Sequence, residues 1–580
     1  MEKLFANYEA CILNCENTQL YDISSFVYEH SKFTGSSAFL IIQKNTKPTK
    51  KGVIFVDSRY TLQAKKQCVG FEVVECDNTQ HRIAKIQEWM CSNLPESATI
   101  AYANFSVHQF SQLYADCPMF KFISIDTSLM KLEQHYQIEQ YNIEYSGRSC
   151  LDKINDFVKS LCKEVYDKYH NCGILLSSCD SIAWLFNLRS KNLVRFSPAF
   201  PSLSIITRDK VFLLIPPNSL NIDEFNTSEY PNIAVYQINI NDYGEQLRNI
   251  IENTRINTLL FDASQLPQYL YELLSSMTNM QQQTDQILAQ RSIKNNVEIE
   301  NSIIVHKAEG AAIVELLAWI DSYNWHSLTE LNIAEKLEEI RKKNVRYKGP
   351  SFRSIIATGE NAAIVHYSPI ECIPLKQNVL LIDVGGNYYG ATTDMTRTIW
   401  IGRQTPPNYI IDSYTRVLRG HIALALAEFP SGTTGAQVDI LARQFLWKNQ
   451  QNYTHATGHG VGNYLTVHEG NLTISPQNFA YPFVSGMIVS NEPGYYENDN
   501  YGIRLENLML VRDKLKNFLS FAMLTMVPFD FKLIKFDLLT HEERAWLKTY
   551  HELVLNNLES LKSNNSAWSW LEHASEPFLD

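Results

Sequence analysis

The chain has 580 residues, 45% of them hydrophobic, 12% aromatic and 19% charged, which excludes an intrinsically disordered protein. Its 23 glycines and 20 prolines exclude collagen-like or linker-like chains. A formal net charge of −11 offers no electrostatic footprint for nucleic acid, and no apolar run reaches the about 18 residues of a membrane span.

At about 150 residues per domain, this length suits two to four domains. The first residues, Met1 to Glu9, lack a positive region followed by an apolar block, so no secretory signal is expected. Of 11 cysteines, all but Cys372 precede residue 180 and none forms a Cys-x-x-Cys pair. Reduced thiols in a cytoplasmic protein are expected, not a disulfide framework.

In residues 1–140 the compact apolar runs Ala38 to Ile42, Val53 to Val56 and Thr99 to Tyr102 read as buried strands. Helical patterning around Ile83 to Met90 lies between them, which predicts an α/β unit. Residues 141–292 repeat the element order. A helix is predicted over Ile154 to Val165, then strands at Gly173 to Leu176, Leu203 to Thr207, Val211 to Ile215 and Leu259 to Phe261. The polar stretch Met277 to Gln286 reads as the exposed face of a helix in preference to a linker, because Gln and Met favour helices.

Residues 293–580 open with a helical stripe, Ile293, Val297, Ile304, Ala308, Ala311, Val314 and Ala318, interrupted at Glu300 and Asn301. Further helices are predicted over Leu331 to Lys342 and Tyr414 to Ala427. Near the end, Thr540 and Glu543 fit a capping box. The stripe that follows, Trp546, Tyr550, Leu553, Val554, Leu558 and Leu561, suits a core or an interface.

The chemistry-bearing residues fall between His366 and Glu506. An apolar strand, Val379 to Val384, carries Asp383 and runs into Gly385-Gly386; Asp394 follows 11 residues after Asp383. A hairpin centred between them, in the Gly386 to Gly390 turn region, would set these acids on adjacent strands, with facing Cβ atoms about 5 Å apart. Likewise Glu492 ends the strand Met487 to Glu492 and Glu506 sits in Gly502 to Val511, with the turn cluster Asn498-Asp499-Asn500 midway. Carboxylates so paired resist joint ionisation unless a cation intervenes. Between the hairpins, His455-Ala-Thr-Gly-His459-Gly-Val-Gly462 is too glycine-rich for a helix and reads as a tight loop presenting one or both imidazoles. His468 follows, and His366 lies upstream. Each residue alone is commonplace; four acids paired across two hairpins beside a glycine-clamped histidine are not. Four carboxylates and one imidazole are hard ligands that favour Mn²⁺, and four negative charges balance two divalent ions. Such a centre would hold a bridging hydroxide and act on a tetrahedral intermediate.

The order Asp, Asp, His, Glu, Glu resembles the pita-bread metallopeptidases, the group of methionine aminopeptidases, prolidases and aminopeptidase P. The likeness is greatest to three-domain cytosolic aminopeptidase P. It extends to Phe33-Thr34-Gly35-Ser36, Val56-Asp57-Ser58-Arg59-Tyr60, Asp180 to Arg189, Asn361 to Pro369, His455 to Gly462 and Leu538 to Leu547.

The resemblance implies an α/β (α+β) fold: two creatinase-like α/β domains, 1–140 and 141–292, then a pita-bread catalytic domain, 293–580, with a C-terminal helical extension. It implies that Asp383 binds one metal, that Asp394 and Glu506 bridge both, and that His459 and Glu492 complete the second. His366 and His468 would position the scissile carbonyl and stabilise the intermediate. His455 would line a proline pocket, Arg59 would lie near the substrate, and Arg504 would support the ligands from the strand face of Glu506. The implied activity is cleavage of the bond between an N-terminal residue and a following proline, in peptides with proline at position two, using two Mn²⁺ ions. Prolidase, which cuts only dipeptides and usually has two domains, is the nearest alternative enzyme. A non-catalytic pita-bread module is the alternative of another class, and the intact ligand set argues against it. A homodimer is expected from three-domain relatives and from the aromatic tail, Trp546 through Trp568 and Trp570.

Overall fold

A computed structural model describes residues 8–15, 24–35, 37–44, 51–76, 79–125, 135–161, 165–193, 196–221, 232–369, 374–376 and 378–579. Ser36, Cys162, Cys372 and the junction 162–164 of the helix predicted to reach Val165 lie outside the described residues. The chain divides into two compact units. One comprises Met1–Tyr141, Arg148–Asn192 and Ala199–Ile287; the other comprises Asn142–Gly147, Leu193–Pro198 and Leu288–Asp580.

The first unit contains two six-stranded sheets. Across the first, the strands run Phe71–Cys76, Gly52–Asp57, Phe39–Gln43, Ala10–Asn14, Thr99–Ala103 and Lys121–Ser124. Across the second they run Ile233–Gln237, Val211–Ile215, Leu203–Ile206, Cys172–Leu176, Thr258–Phe261 and Asn279–Gln282. The neighbour relations are the same in both: parallel, antiparallel, antiparallel, parallel, parallel. The likeness in element order is therefore a shared topology. Central strands such as Ala10–Asn14, Cys172–Leu176 and Val211–Ile215 are buried along their length, as continuous apolar runs require when both faces are covered.

One expectation fails here. Within Met277 to Gln286, Asn279–Gln282 is a strand, parallel to Thr258–Phe261 at the sheet's edge. Its residues are exposed or half-buried, so an edge position accommodates side chains that the preference of Gln and Met for helix would misplace.

The second unit opens with the helix Asn296–Ser322, capped by Asn295 and Glu298 in a reciprocal capping box. The predicted stripe starts ahead of the helix, at Ile293, and its first part is not buried. Ile293 is 40% and, within the helix, Ile304 50% exposed, whereas Glu298, Asn301, Ser302, His306 and Glu309 are buried. Two of them find partners from distant segments: Asn301 donates to the Glu144 carbonyl at 2.9 Å, and Glu309 pairs with Arg341 and accepts the Tyr388 hydroxyl at 2.5 Å. From Ala312 onward the buried face is apolar.

Two sheets of this unit carry the chemistry. A three-stranded sheet orders Ile355–Thr358, Asn378–Val384 and Met395–Ile401. A six-stranded sheet orders Glu428–Pro430, Phe518–Met523, Asn507–Lys514, Ile488–Asn491, Gly458–Gly460 and Glu469–Ile474. The helices Asn408–Ala425 and Gly435–Trp447 pack on one another, the former burying Ile410, Tyr414, Val417 and Leu418 in the core.

The tail helix His541–Asn557 carries the predicted capping box at Thr540 and Glu543. Tyr550, Val554, Leu558 and Leu561 are buried, and Trp546, Trp568 and Trp570 pack against the same core. The aromatic tail thus packs, in part, within its own unit. Among the described residues, no helix is long and apolar enough to cross a membrane.

Candidate metal centre

Asn378–Val384 pairs antiparallel with Met395–Ile401, with Asp383 opposite Thr396 and Val384 opposite Met395. The expected hairpin is present, but not as a plain turn about the midpoint of the two acids. The intervening Gly386–Tyr388 and Ala391–Thr392 leave the ladder and form a separate sheet with Tyr347–Pro350. Asp394 immediately precedes the second strand, so it lies diagonal to Asp383 and does not face it. Diagonal neighbours share a face and remain within reach.

In the second hairpin Asn491 faces Asn507, and Glu492 and Glu506 are the next pair in that register. Beyond them the chain continues as Gly494–Glu497 and Tyr501–Arg504, Gly494 facing Arg504, with Asp499 in the left-handed region at φ 57° in the turn. An isolated antiparallel bridge between Thr396 and Glu506 joins the two hairpins. The Glu506 amide donates to the Thr396 carbonyl at 3.0 Å and the Thr396 hydroxyl to Glu506 Oε2 at 2.8 Å. This link converts two carboxylate pairs into one cluster.

His459 arrives on Gly458–Gly460, where a Cβ on Gly458 would stand 2.0 Å from the Ser490 carbonyl oxygen and one on Gly460 2.5 Å from that of Glu469. Only glycine allows the strand so close. The His459 amide donates to Ser490 Oγ at 2.9 Å, and Nδ1 lies 2.9 Å from the Gly460 carbonyl. A carbonyl there demands a proton on Nδ1, which leaves the Nε2 lone pair for a ligand. Nε2 stands 3.5 Å from Asp394 Oδ2 and 3.4 Å from Glu492 Oε1.

Donor atoms of Asp394, His459 and Glu506 all lie within 4.8 Å of one another. Burial pushes the carboxyls of Asp394 and Glu506 well above the usual range, and neighbouring carboxylates push them further; burial also raises Glu492. Asp383 Oδ1 and Glu506 Oε1 are buried with no hydrogen-bond partner. Buried, oxygen-rich, unpartnered donors around one imidazole are what hard divalent cations need, so these residues fit a metal centre.

The surrounding residues are fixed by partners that no sequence motif pointed to. Arg504 donates to Asp383 Oδ2 at 2.5 Å and to the Tyr496 hydroxyl at 2.7 Å. Its guanidinium therefore turns to Asp383, and the strand that was to hold it beside Glu506 breaks between Arg504 and Asn507. Tyr496 OH also lies 2.8 Å from His455 Nε2, and burial lifts that phenol to about 12. The signal for Tyr496 was legible: the hairpin register places it diagonal to Arg504 on one face. Asp439 and Arg443, on Gly435–Trp447, hold the histidine loop: Thr457 donates to Asp439 at 2.5 Å and Arg443 to the His455 carbonyl at 2.9 Å. The His468 ring stands nearly perpendicular to that of His459, centroids 4.1 Å apart, on an exposed residue. His366 is half-buried after the short helical turn Gly359–Ala363, and Arg504 reaches the neighbouring Val365 carbonyl at 3.3 Å. Arg59 belongs to the first unit, where it donates to Asp57 through Nε at 2.9 Å and Nη2 at 2.8 Å.

A fold with two carboxylate hairpins meeting at one histidine defines a metallopeptidase class. Residues 302–513 match the model of metallopeptidase family M24, 131–298 that of the creatinase/prolidase N-terminal domain, and 517–578 that of the C-terminal region of peptidase M24. The chain belongs to metallopeptidase family M24. Aminopeptidase P1 of Arabidopsis thaliana is 31% identical, over 94% of this chain and 92% of its own length. Xaa-Pro aminopeptidase 1 of Dictyostelium discoideum is 30% identical, over 94% and 90%. The X-prolyl aminopeptidase of Caenorhabditis elegans, described as a cytosolic enzyme with a di-nuclear active site, superposes with a TM-score of 0.87 at 25% identity, covering 99% of this chain and 97% of that one. Xaa-Pro dipeptidase from Bacillus anthracis shares the fold at a TM-score of 0.52 and 21% identity, but it covers 66% of this chain with 99% of its own.

Proposed function

We propose that this chain is an Xaa-Pro aminopeptidase, a dinuclear metallo-exopeptidase that releases the N-terminal residue of peptides with proline at position two. The observation that carries the reading is the cluster of Asp394, His459 and Glu506, joined by the Thr396–Glu506 bridge, with Glu492 beside His459 and Asp383 diagonal to Asp394. The relatives named aminopeptidase P1 and Xaa-Pro aminopeptidase 1, each matched over 94% of this chain, and the likeness to an X-prolyl aminopeptidase at a TM-score of 0.87 favour this specificity over prolidase.

In this reading Asp383 would hold one ion, Asp394 and Glu506 would be shared by both, and His459 and Glu492 would complete the second. Two divalent ions, of which Mn²⁺ suits the hard donor set, would when bound supply Lewis-acid charge for activating water near neutral pH and for polarising the scissile carbonyl. Arg504 holds Asp383 in orientation by a charge-assisted hydrogen bond. His468 and His366 orient the carbonyl and hold the charge that develops on its oxygen. His455, set by the Tyr496 hydroxyl, lines the proline side. Arg59 is assigned to the substrate's approach. The same reading divides the chain at 140 and 292, and makes it a cytoplasmic homodimer.

Metal analysis with paired cleavage assays tests the proposal. The metal-loaded protein is expected to release the first residue from Xaa-Pro-Xaa tripeptides. Cleavage restricted to Xaa-Pro dipeptides would favour prolidase, and no cleavage of either by metal-loaded protein would refute the enzyme reading.

A further inference from the structure

We propose that Glu469, clamped by Lys294 and Arg291, is the positioning residue for His468; this rests on the reading above, in which His468 works on the substrate.

The strand ladder does not by itself determine where His468 sits. Glu469–Ile474 is at the edge of its sheet, bonded to a neighbour on one side only. Its register slips within that one pairing: His459 faces Thr473, yet the next residue, Gly460, faces Glu469. The slip pushes Gly470 to Leu472 out of the ladder, with Gly470 in the left-handed region at φ 73°. Such a bulge bends the strand and weakens its hold on the residues at its start. His468 is next to that start, where its ring must meet the ring of His459.

A separate anchor stands at the same point. The Glu469 carboxylate is buried, as are the two cations that grip it: Oε1 lies 3.4 Å from Arg291 Nη1, and Oε2 accepts from Lys294 Nζ. Lys294 is itself fixed, its amide donating to the Gly486 carbonyl at 2.9 Å and its Nζ to the Ser292 carbonyl at 3.2 Å. A Cβ built on Gly462 would lie 3.4 Å from Glu469 Oε1, so the carboxylate also packs over the loop that follows His459. One side chain thus ties the residue after His468 to the His459 loop and to the segment before the long helix. Two cations on one carboxylate, all withdrawn from water, are a costly arrangement for stability alone. Placing His468 across a broken register gives the arrangement a function.

The test is a double-mutant cycle on the metal-loaded protein. Glu469→Gln is made in the native chain and in His468→Ala, with kcat and KM on an Xaa-Pro-Xaa peptide, metal content and melting temperature measured. In the native chain kcat is expected to fall about tenfold to a hundredfold, the size of effect that misplacing a reacting group produces, with KM and metal content nearly unchanged. In His468→Ala the same substitution is expected to leave kcat unaltered, and Lys294→Arg is expected to keep native kcat. Equal fractional losses in both backgrounds, or no loss in the native chain, would overturn the proposal. Should Glu469→Gln not fold, Lys294→Met, which retains the Arg291 contact, goes through the same cycle, and the same outcomes support or overturn the proposal. Native kcat in His468→Ala alone would instead overturn the role given to His468, and this proposal with it.

Discussion

Substituting Gly458 by alanine tests whether the approach of two strands sets the metal centre. Gly458 has no positive φ, so alanine suits its backbone. The obstacle is steric: the new Cβ would stand 2.0 Å from the Ser490 carbonyl oxygen and 2.8 Å from its carbon, where real Cβ contacts do not fall below 3.0 Å. Both are backbone atoms and no side-chain rotation relieves the contact, so the strands must part by about 1 Å. The partners on either side of this gap are His459, whose amide donates to Ser490 Oγ at 2.9 Å, and Glu492, which accepts from the same hydroxyl at 3.2 Å. Displacing catalytic groups by about 1 Å costs about 10²-fold, and overpacking costs about 1–3 kcal/mol of stability. Gly458→Ala is therefore expected to fold, melt lower, bind metal less completely and lose about 10²-fold in kcat/KM on an Xaa-Pro-Xaa peptide. Native kcat/KM and full metal content in the variant would refute the idea that strand spacing sets the ligand geometry.

Asp394→Asn and Glu506→Gln should each abolish activity by removing a donor shared between ions; full activity in metal-free protein, by elemental analysis, would contradict this. His366→Ala and His468→Ala should lower kcat by about 10²–10³ while keeping their metal, and metal loss in either would make that residue a ligand. Burial pushes His421 and His551 down to about 3 in the folded protein. The unfolded chain therefore takes up protons that the native state refuses, so stability falls as pH drops below about 6.5, by about 2 kcal/mol per histidine at pH 5. Denaturant melts at pH 7 and pH 5, compared between the native chain and His551→Asn, isolate this contribution from the opposing one of the raised carboxyls of Asp394, Glu492 and Glu506; an equal change with pH in both proteins would show His551 protonated while folded. Light scattering should give a mass near twice 66.7 kDa, and a value near 66.7 kDa would defeat the dimer.

Local sequence determined much of this molecule. Apolar runs such as Val211–Ile215 are strands because β-branched and large apolar residues fill a sheet buried on both faces. The spacing of Glu492 and Glu506 about Asn498–Asn500 was enough to set a register, because an antiparallel pair is defined by its midpoint. Thr540 and Glu543 announce a helix start because the cap is completed within one turn. Tertiary structure decided what those elements meet. The Thr396–Glu506 bridge spans 110 residues of sequence, and Arg504 reaches back 121 to Asp383. Neither link leaves a periodicity to read. Burial of Asn301 and Glu309 on a helix whose Ile304 faces outward was likewise illegible, since their partners Glu144, Arg341 and Tyr388 come from distant segments. The polar strand Asn279–Gln282 forms because Thr258–Phe261 offers it an edge, and the tryptophans of the tail pack against the core of their own unit. Periodicity reports which side of an element avoids water; which charge, edge or carbonyl waits on the far side is settled only when distant segments pack.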